Sequence, residues 1–454
     1  MLSRFREDAD LPTARGYTRN SFGLAAVAAA LLLPIALPRI LLAQTQLSVG
    51  IAQGAISCAQ SANGTAHMVC AEYATSATIY GVAWQTPGTV GAPHQVNNAK
   101  NDSVELIDTV DPLQALGTAA GPLHGAPGCG PANNNTGTAV CLIVSSGSTG
   151  FIFQGAAFYP APTVVPPVLV SLDVKAGART ISNPGCASAN SAGAVMCAVV
   201  VDNQLFGIGF EPHSAATNTH LVALLSGTTG FTGNPNCISA EGNTIAVCTI
   251  RQGGGLLAFA LQFNPATQNN GPTLTTGGTI QLNNSSFAGD PACAIRGAGP
   301  TAVICAIVSG NSLLGYAFDP QTQAAPTGPQ SLGSPLDGGS WTGALGCAQV
   351  PDFRNLGNPN VPNPNGNLVT CAAVSSTSNV FAITFDPVVR THFGVNGPFA
   401  GNVNSAPSCI VLAVARDQIE CGATRRDGTS VALRIPVGLL PQSVSAAIAS
   451  SILN

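Results

Sequence analysis

The sequence predicts an all-β fold, a seven-bladed β-propeller of four-stranded antiparallel blades with one hairpin disulfide per blade, and three observations lead there. Composition is the first: 45% of the 454 residues are hydrophobic, only 8% are charged, and 51 Gly and 33 Pro are spread along the whole length. Many short strands joined by turns have this composition. The second is the lack of helical patterning after residue 45, where Gly, Pro or Asn interrupts almost every window before an i, i+3, i+4, i+7 stripe can develop. The third is a repeat marked by cysteines, with a period long enough for a propeller or a solenoid.

The N-terminus reads as a separate object. Residues 1–22 are a long polar stretch, residues 23–38 (GLAAVAAALLLPIALP) are a compact apolar run, and Ala43 offers a small residue ahead of QTQLSVG. This is the three-part layout of an export signal, so residues 1–43 are expected to be a removed leader, 44–440 the propeller and 441–454 a C-terminal tail. Retention as a membrane anchor is the competing reading, against which Pro34, Pro38 and Arg39 argue. Without the leader no transmembrane span is expected. Residues 1–43 hold five arginines and three acids, so the rest of the chain carries 11 cations and 17 anions, a net charge of −6. A chain with no basic patch to neutralise phosphates is not expected to bind nucleic acid or an anionic membrane.

All 14 cysteines follow the leader, an even count that reads as disulfides in an exported chain. They fall into seven successive pairs: Cys58 with Cys70, Cys129 with Cys141, Cys186 with Cys197, Cys237 with Cys248, Cys293 with Cys305, Cys347 with Cys371, and Cys409 with Cys421. Six pairs enclose ten or eleven residues and one encloses 23, while the first cysteines recur at intervals of 71, 57, 51, 56, 54 and 62. Either short count lets two cysteines face each other across a hairpin, within disulfide range. Zinc is not expected, because no CxxC occurs and the histidines are not clustered near the cysteines.

Other columns repeat with the cysteines. Pro127, Pro184, Pro235, Pro291 and Pro407 lie two residues before a first cysteine, and Val69, Val140, Val195, Val247, Ile304, Val369 and Ile419 lie one or two before a second. A small residue and an aromatic then follow three apart: Gly81 and Trp84, Gly155 and Phe158, Gly207 and Phe210, Ala260 and Phe263, Gly315 and Phe318, Ala382 and Phe385. Five of the aromatics have Pro two residues on, at 160, 212, 265, 320 and 387. The first cysteine therefore opens a short strand, the second sits inside an apolar strand such as AVMCAVVV, and a segment such as LFGIGF makes a third strand ended by proline. A weaker fourth strand such as HLVALL at 220–225 completes the unit.

One such sheet exposes two faces and has no core of its own, so it must stack on its neighbours, and radial closure makes a propeller. Within small-x-x-aromatic the two residues point to opposite faces, so a ring on one blade can pack where the next presents only Gly or Ala. The seventh unit, VALRIPVG, has no aromatic. Closure requires either an N-terminal strand near QLSVGIA at 46–52 or the tail around SVALRIPVGLL at 430–440, and the residues do not choose between them.

The pattern P-x-C-x-(turn)-V-x-C-A followed by N-x-L-x-G and an aromatic, best seen in DNQLFGIGF at 202–210, resembles the blade motif of tectonin-like and fucose-binding seven-bladed propeller lectins. The resemblance spans residues 50–440 and implies a propeller with glycan binding. Where that family carries Ser-Trp-Gly after the first strand, this chain has CASAN or CISAE, so no sugar-binding residue is carried over.

Chemistry is sparse. His67, His94, His124, His213, His220 and His392 fall in different units, mostly in loops, and imply no nucleophile–base–acid set, although propeller enzymes do assemble sites from several blades. Asp319 and Asp386 recur in FDP and Glu211 in FEP, where turn chemistry accounts for them without a metal. Gly253–Gly255 is a loop between strands and not a phosphate cradle, since no helix follows. The 348–370 segment, AQVPDFRNLGNPNVPNPNGNLVT, replaces a short turn and is either a recognition element or a tolerated insertion. The long connections at 85–125 and 159–170 read as low-complexity and disordered. No cofactor is implied. The function expected is that of an exported binding protein for a glycan or an extracellular protein, with a structural or adhesion component of the cell surface and a propeller hydrolase as the alternatives.

Overall fold

The computed structural model describes residues 44–46, 54–60, 67–73, 79–85, 104–110, 123–131, 139–147, 150–158, 170–173, 178–188, 194–210, 220–240, 245–263, 272–282, 287–296, 303–319, 324–350, 368–411 and 418–437. The expected leader, the tail and most of the 348–370 segment lie outside them. Among the described residues no helix is long and apolar enough to cross a membrane.

The fold is an all-β propeller of four-stranded antiparallel blades. Seven such sheets are present among the described residues. Sheet 1 comprises Ser57–Gln60, His67–Tyr73, Ile79–Gln85 and Val104–Val110, and sheet 2 comprises Gly128–Pro131, Ala139–Ser146, Phe151–Phe158 and Val170–Asp173. Sheet 3 comprises Gly185–Ser188, Val195–Val201, Gln204–Phe210 and His220–Ala223, and sheet 4 Phe231–Ala240, Ile245–Gln252, Gly255–Gln262 and Thr273–Leu282. Sheet 5 comprises Phe287–Ile295, Val303–Ser309, Ser312–Asp319 and Ala324–Ser331, and sheet 6 Trp341–Gln349, Val369–Ser375, Val380–Asp386 and Thr391–Ala400. Each runs as a simple meander. Sheet 7 is composite: Ser408–Ile410, Gln418–Thr424 and Ser430–Pro436 receive Gln44–Gln46 as their outermost strand, with Gln44 opposite Leu433 and Gln46 opposite Val431. The tail candidate is thus the third strand, and the closing fourth strand is Gln44–Gln46, which shares only Gln46 with the expected 46–52 segment.

Turn chemistry sets the hairpins. Asp202 and Asn203 take φ of 47° and 63° between strands paired from Val201 and Gln204, the double left-handed turn that matches strand twist. Gly253 and Gly254 do the same in sheet 4, with Gln252 opposite Gly255.

Two expectations need correcting. In sheets 4, 5 and 6 the first strand begins six residues before its cysteine, at Phe231, Phe287 and Trp341. The pairing then shifts register before the cysteine, in sheets 4 and 5 across Pro235 and Pro291, where the missing N–H interrupts the ladder. The connection at 85–125 is not wholly disordered either. Val104–Val110 is the fourth strand of sheet 1, paired with Ile79–Trp84, because the alternating pattern VELIDTV overrides its low-complexity surroundings.

All seven predicted disulfides form, and in each the two cysteines are direct register partners. They also lie in the seams between sheets. Cys186 and Cys197 pack with Val140, Leu142 and Phe153 of sheet 2, and Cys371 packs with Ile304 and Ala306 of sheet 5. On the other face of the same strand, Met196, Ala198 and Val200 pack against Phe231 and Phe259 of sheet 4. Coverage of both faces is why these strands read as unbroken apolar runs rather than as alternation.

Two of the described aromatics pack on a glycine of the neighbouring sheet. Phe385 of sheet 6 lies where a methyl on Gly315 of sheet 5 would come within 2.6 Å of its ring. Phe263 of sheet 4 covers Gly209 of sheet 3 in the same way, two residues beyond the predicted small position, while Gly207 is covered by Leu224 of its own sheet. The side chains of Trp84, Phe158 and Phe210 lie outside the described set.

The first strands of successive sheets lie against one another in a cycle that returns from Ser408–Ile410 to Ser57–Gln60. Their free edges are bridged. The backbone N–H groups of Cys58, Cys129 and Cys293 donate to Ser408 Oγ (2.9 Å), Ser57 Oγ (3.0 Å) and Asn236 Oδ1 (3.1 Å) of the preceding sheet. Three residues before the cysteines, the N–H groups of Ala126, Asn183 and Asn234 donate to Asn183, Asn234 and Asp290 of the following sheet (2.9, 2.7 and 2.9 Å). Where the residue before the cysteine is glycine, the neighbour's backbone fills the space. A methyl on Gly346 would lie 2.0 Å from the Pro407 carbonyl oxygen. Gly346→Ala is expected to lower stability by about 1–3 kcal/mol or more, since backbone cannot yield as a side chain does. Gly401→Ala, whose nearest contact is Asn379 Oδ1 at 3.3 Å, is the control in denaturant unfolding and should stay within about 1 kcal/mol of the parent.

Candidate functional site

In a meandering blade the second-to-third hairpin and the connection to the next blade emerge at one end of the ring. Here those two elements are clasped together by polar side chains. In sheet 3, Asp202 Oδ1 on the hairpin accepts the N–H groups of Arg179 and Thr180 in the connection, both at 3.0 Å. Near sheet 2, His124 in the connection bonds Ser146 Oγ (2.5 Å) and meets the Phe151 ring edge-on at 5.0 Å.

Sheet 6 has the fullest clasp, with the carboxylate on the connection. Asp337 Oδ2 accepts from Ser375 Oγ (2.7 Å), Asn379 Nδ2 (2.9 Å) and Thr377 Oγ1, and Oδ1 accepts from the Gly339 N–H (3.0 Å). Slight desolvation works to raise the pKa of Asp337, but hydrogen bonds from Thr377, Asn379, Ser375 and Gly339 outweigh it and hold the carboxyl well below the usual range. Beside it Leu336 is 51% exposed. The result is a hydrogen-bonded patch of carboxylate, hydroxyl and amide groups next to an exposed apolar side chain. Asp337→Ala is expected to speed amide exchange at residues 332–340 and 375–379 while leaving the exchange of Val195–Val201 unchanged.

Trp341, the described tryptophan nearest this patch in sequence, is only 4% exposed, donates Nε1–H to the Gly333 carbonyl (2.9 Å) and meets Phe381 edge-on at 6.2 Å. It anchors the connection and presents no platform for a ligand.

The opposite end of sheets 5 and 6 has a different character. Asp386, from the FDP column, accepts from the Val388 N–H (2.9 Å), the turn role expected of it, and also takes Arg296 of sheet 5, with Nε 3.2 Å from each oxygen and Nη2 3.0 Å from Oδ2. This brace holds a turn on which Val388 and Val389 are 41% and 62% exposed. Arg296 had no signal in the repeat, since its partner lies 90 residues away.

The structure does not gather the remaining sequence candidates. Asp319 ends the third strand of sheet 5, His392 is exposed on sheet 6 and His124 stands at sheet 2. His67 and His220 lie on strands with undescribed side chains, and His94, His213 and Glu211 are outside the described residues. Among the described residues no group of three or more His, Cys, Asp or Glu could hold a metal ion.

No family model matches the sequence, and no curated protein matches it. Comparison with solved structures gives alignments over most of the chain. The BP39L lectin from Burkholderia pseudomallei aligns with a TM-score of 0.54 at 10% identity, over 85% of this chain and 97% of the lectin. The SapL1 lectin in complex with alpha methyl fucoside aligns at 0.38 with 11% identity over 75% and 94%, and BBS1N in complex with ARL6DN at 0.44 with 11% identity over 87% and 96%. At such identities the likeness is one of architecture alone, that of a β-propeller.

Proposed function

We propose that this chain is an exported, seven-bladed propeller that works as a binding protein, with a glycan as its ligand class. The leader at 1–43 is removed in this reading, residues 44–440 form the ring, and seven disulfides suit an oxidising compartment. The observation that carries it is the Asp337 patch, where hydroxyl, amide and carboxylate groups are held in place before any ligand arrives. A preorganised polar surface spares the ordering cost that weakens most polar recognition. The lectin neighbour supports the architecture for such a task.

A glycan array probed with the leaderless chain, followed by calorimetry on the best ligand, tests this. Binding is expected to weaken at least tenfold in Asn379→Ala and Leu336→Ala and to persist in Val389→Ser. The second reading, a protein partner, is favoured by the braced turn that exposes Val388 and Val389. An empty array, together with partner capture abolished by Val389→Ser, would replace the glycan reading with that one.

A further inference from the structure

The seam where sheet 7 meets sheet 1 buries a carboxyl group for which no ion pair is found among the described residues, unlike Asp386 between sheets 5 and 6, which Arg296 holds. Glu72, 1% exposed on the second strand of sheet 1, faces sheet 7 on the same side of its strand as Cys70, and its Oε2 accepts a hydrogen bond from Ser430 Oγ. Across sheet 7 the register partner of Ser430 is Thr424, 1% exposed on the same face. Neither Glu72 Oε1 nor Thr424 Oγ1 has a hydrogen-bond partner. The Thr424 N–H is held by Ser405 Oγ (2.8 Å).

The surrounding charges are few. On the facing strand Gly422 lies against the Cys58–Cys70 disulfide, and Glu420 lies four residues from Thr424, about 13 Å along a strand. Its register partner is Arg434, equally distant from Ser430. Arg425, Arg426 and Asp427 occupy the turn beyond Thr424, and Tyr80 is the partner of Glu72 in its own sheet. Burial is the larger influence on Glu72 and raises its pKa, and the Ser430 bond partly opposes it.

We propose that Glu72 is a proton-held latch: as a neutral acid it lets the first and last sheets close over it beside Ser430, and its ionisation loosens the seam between them. Neutral, the buried group carries no charge for the seam to compensate. Ionised, it leaves an uncompensated charge in a seam that excludes water. The latch sits where it has most leverage, because Ser430 adjoins Val431, the residue paired with Gln46 in the closing strand. The sign follows from the raised pKa. The stabilisation is complete below the ordinary value of 4.5 and is lost as pH rises through the higher value in the folded chain.

Thermal unfolding of the disulfide-intact chain between pH 5 and 9, with hydrogen exchange read by peptide, tests the latch. The midpoint should fall by roughly 2–4 °C across that range in the parent and stay flat in Glu72→Gln. Exchange corrected for intrinsic rate should rise with pH in 67–73 and 418–436 but not in 195–210. Ser430→Ala removes a bond that favours the ionised form and should move the parent's transition up by about one pH unit. It decides the matter if Glu72→Gln does not fold. An unchanged pH profile in Glu72→Gln, no shift in Ser430→Ala, or a midpoint that drops on adding a chelator, which would mark a bound cation in place of the proton, each overturns the proposal.

Discussion

Arg296→Met is expected to destabilise the chain by about 3–5 kcal/mol, because it strands the buried carboxylate of Asp386 without its cation. The Asp386 side chain is 2% exposed and that of Arg296 19%, so water cannot take over the role of the guanidinium. The pair also joins two sheets and braces the Val388 turn, so its loss should appear twice. Denaturant unfolding reads the global cost, and amide exchange at 386–391 reads the freed turn. The double variant Arg296→Met with Asp386→Asn should recover most of the loss, because breaking a buried pair costs far more than replacing it. A single variant within 1 kcal/mol of the parent would show that the contact is hydrated and of little weight. By contrast, the more exposed Arg251 and Asp290, 3.7 Å apart, should contribute under about 1 kcal/mol.

Replacing Cys347 and Cys371 together by alanine is the second large effect. This bond spans 24 residues where the others span 11 or 12, so it removes the most freedom from the unfolded chain. Loop-closure entropy puts its contribution at about 3.5 kcal/mol against about 3 kcal/mol for a short hairpin. Both sulfurs also fill the seam against sheet 5, so the measured cost should exceed the entropic figure. Parallel unfolding of the Cys186 and Cys197 double variant provides the comparison. If the short hairpin proves equally costly, seam packing and not chain entropy dominates these bonds.

Much of the fold was legible because the repeat recurs seven times and one signal averages over its copies. Cysteine spacing placed the first two strands of each sheet, and small-x-x-aromatic placed the third and its packing on the neighbour. The long first strands beginning at Phe231, Phe287 and Trp341 were hidden, since a register shift separates them from the cysteines that mark the unit. Val104–Val110 was hidden by the irregular sequence around it. The candidate site was far less legible. Asp337 lies on a connection and Ser375, Thr377 and Asn379 on a hairpin, at positions that no column of the repeat marks, and they meet only because the meander brings the two to one end.

The residues alone were enough for the local pairings: which cysteines bond, where each hairpin turns and which strands are covered on both faces. These depend on neighbours within a dozen or so positions, where spacing and turn chemistry decide. Contacts between sheets belong to the tertiary structure. Glu72 meets Ser430 across 358 positions, Arg296 meets Asp386 across 90, and Gln44–Gln46 completes a sheet begun at Ser408. Such contacts form only when radial packing closes the ring, and a single charged residue within an apolar run leaves no periodic trace of the partner that closure will bring to it.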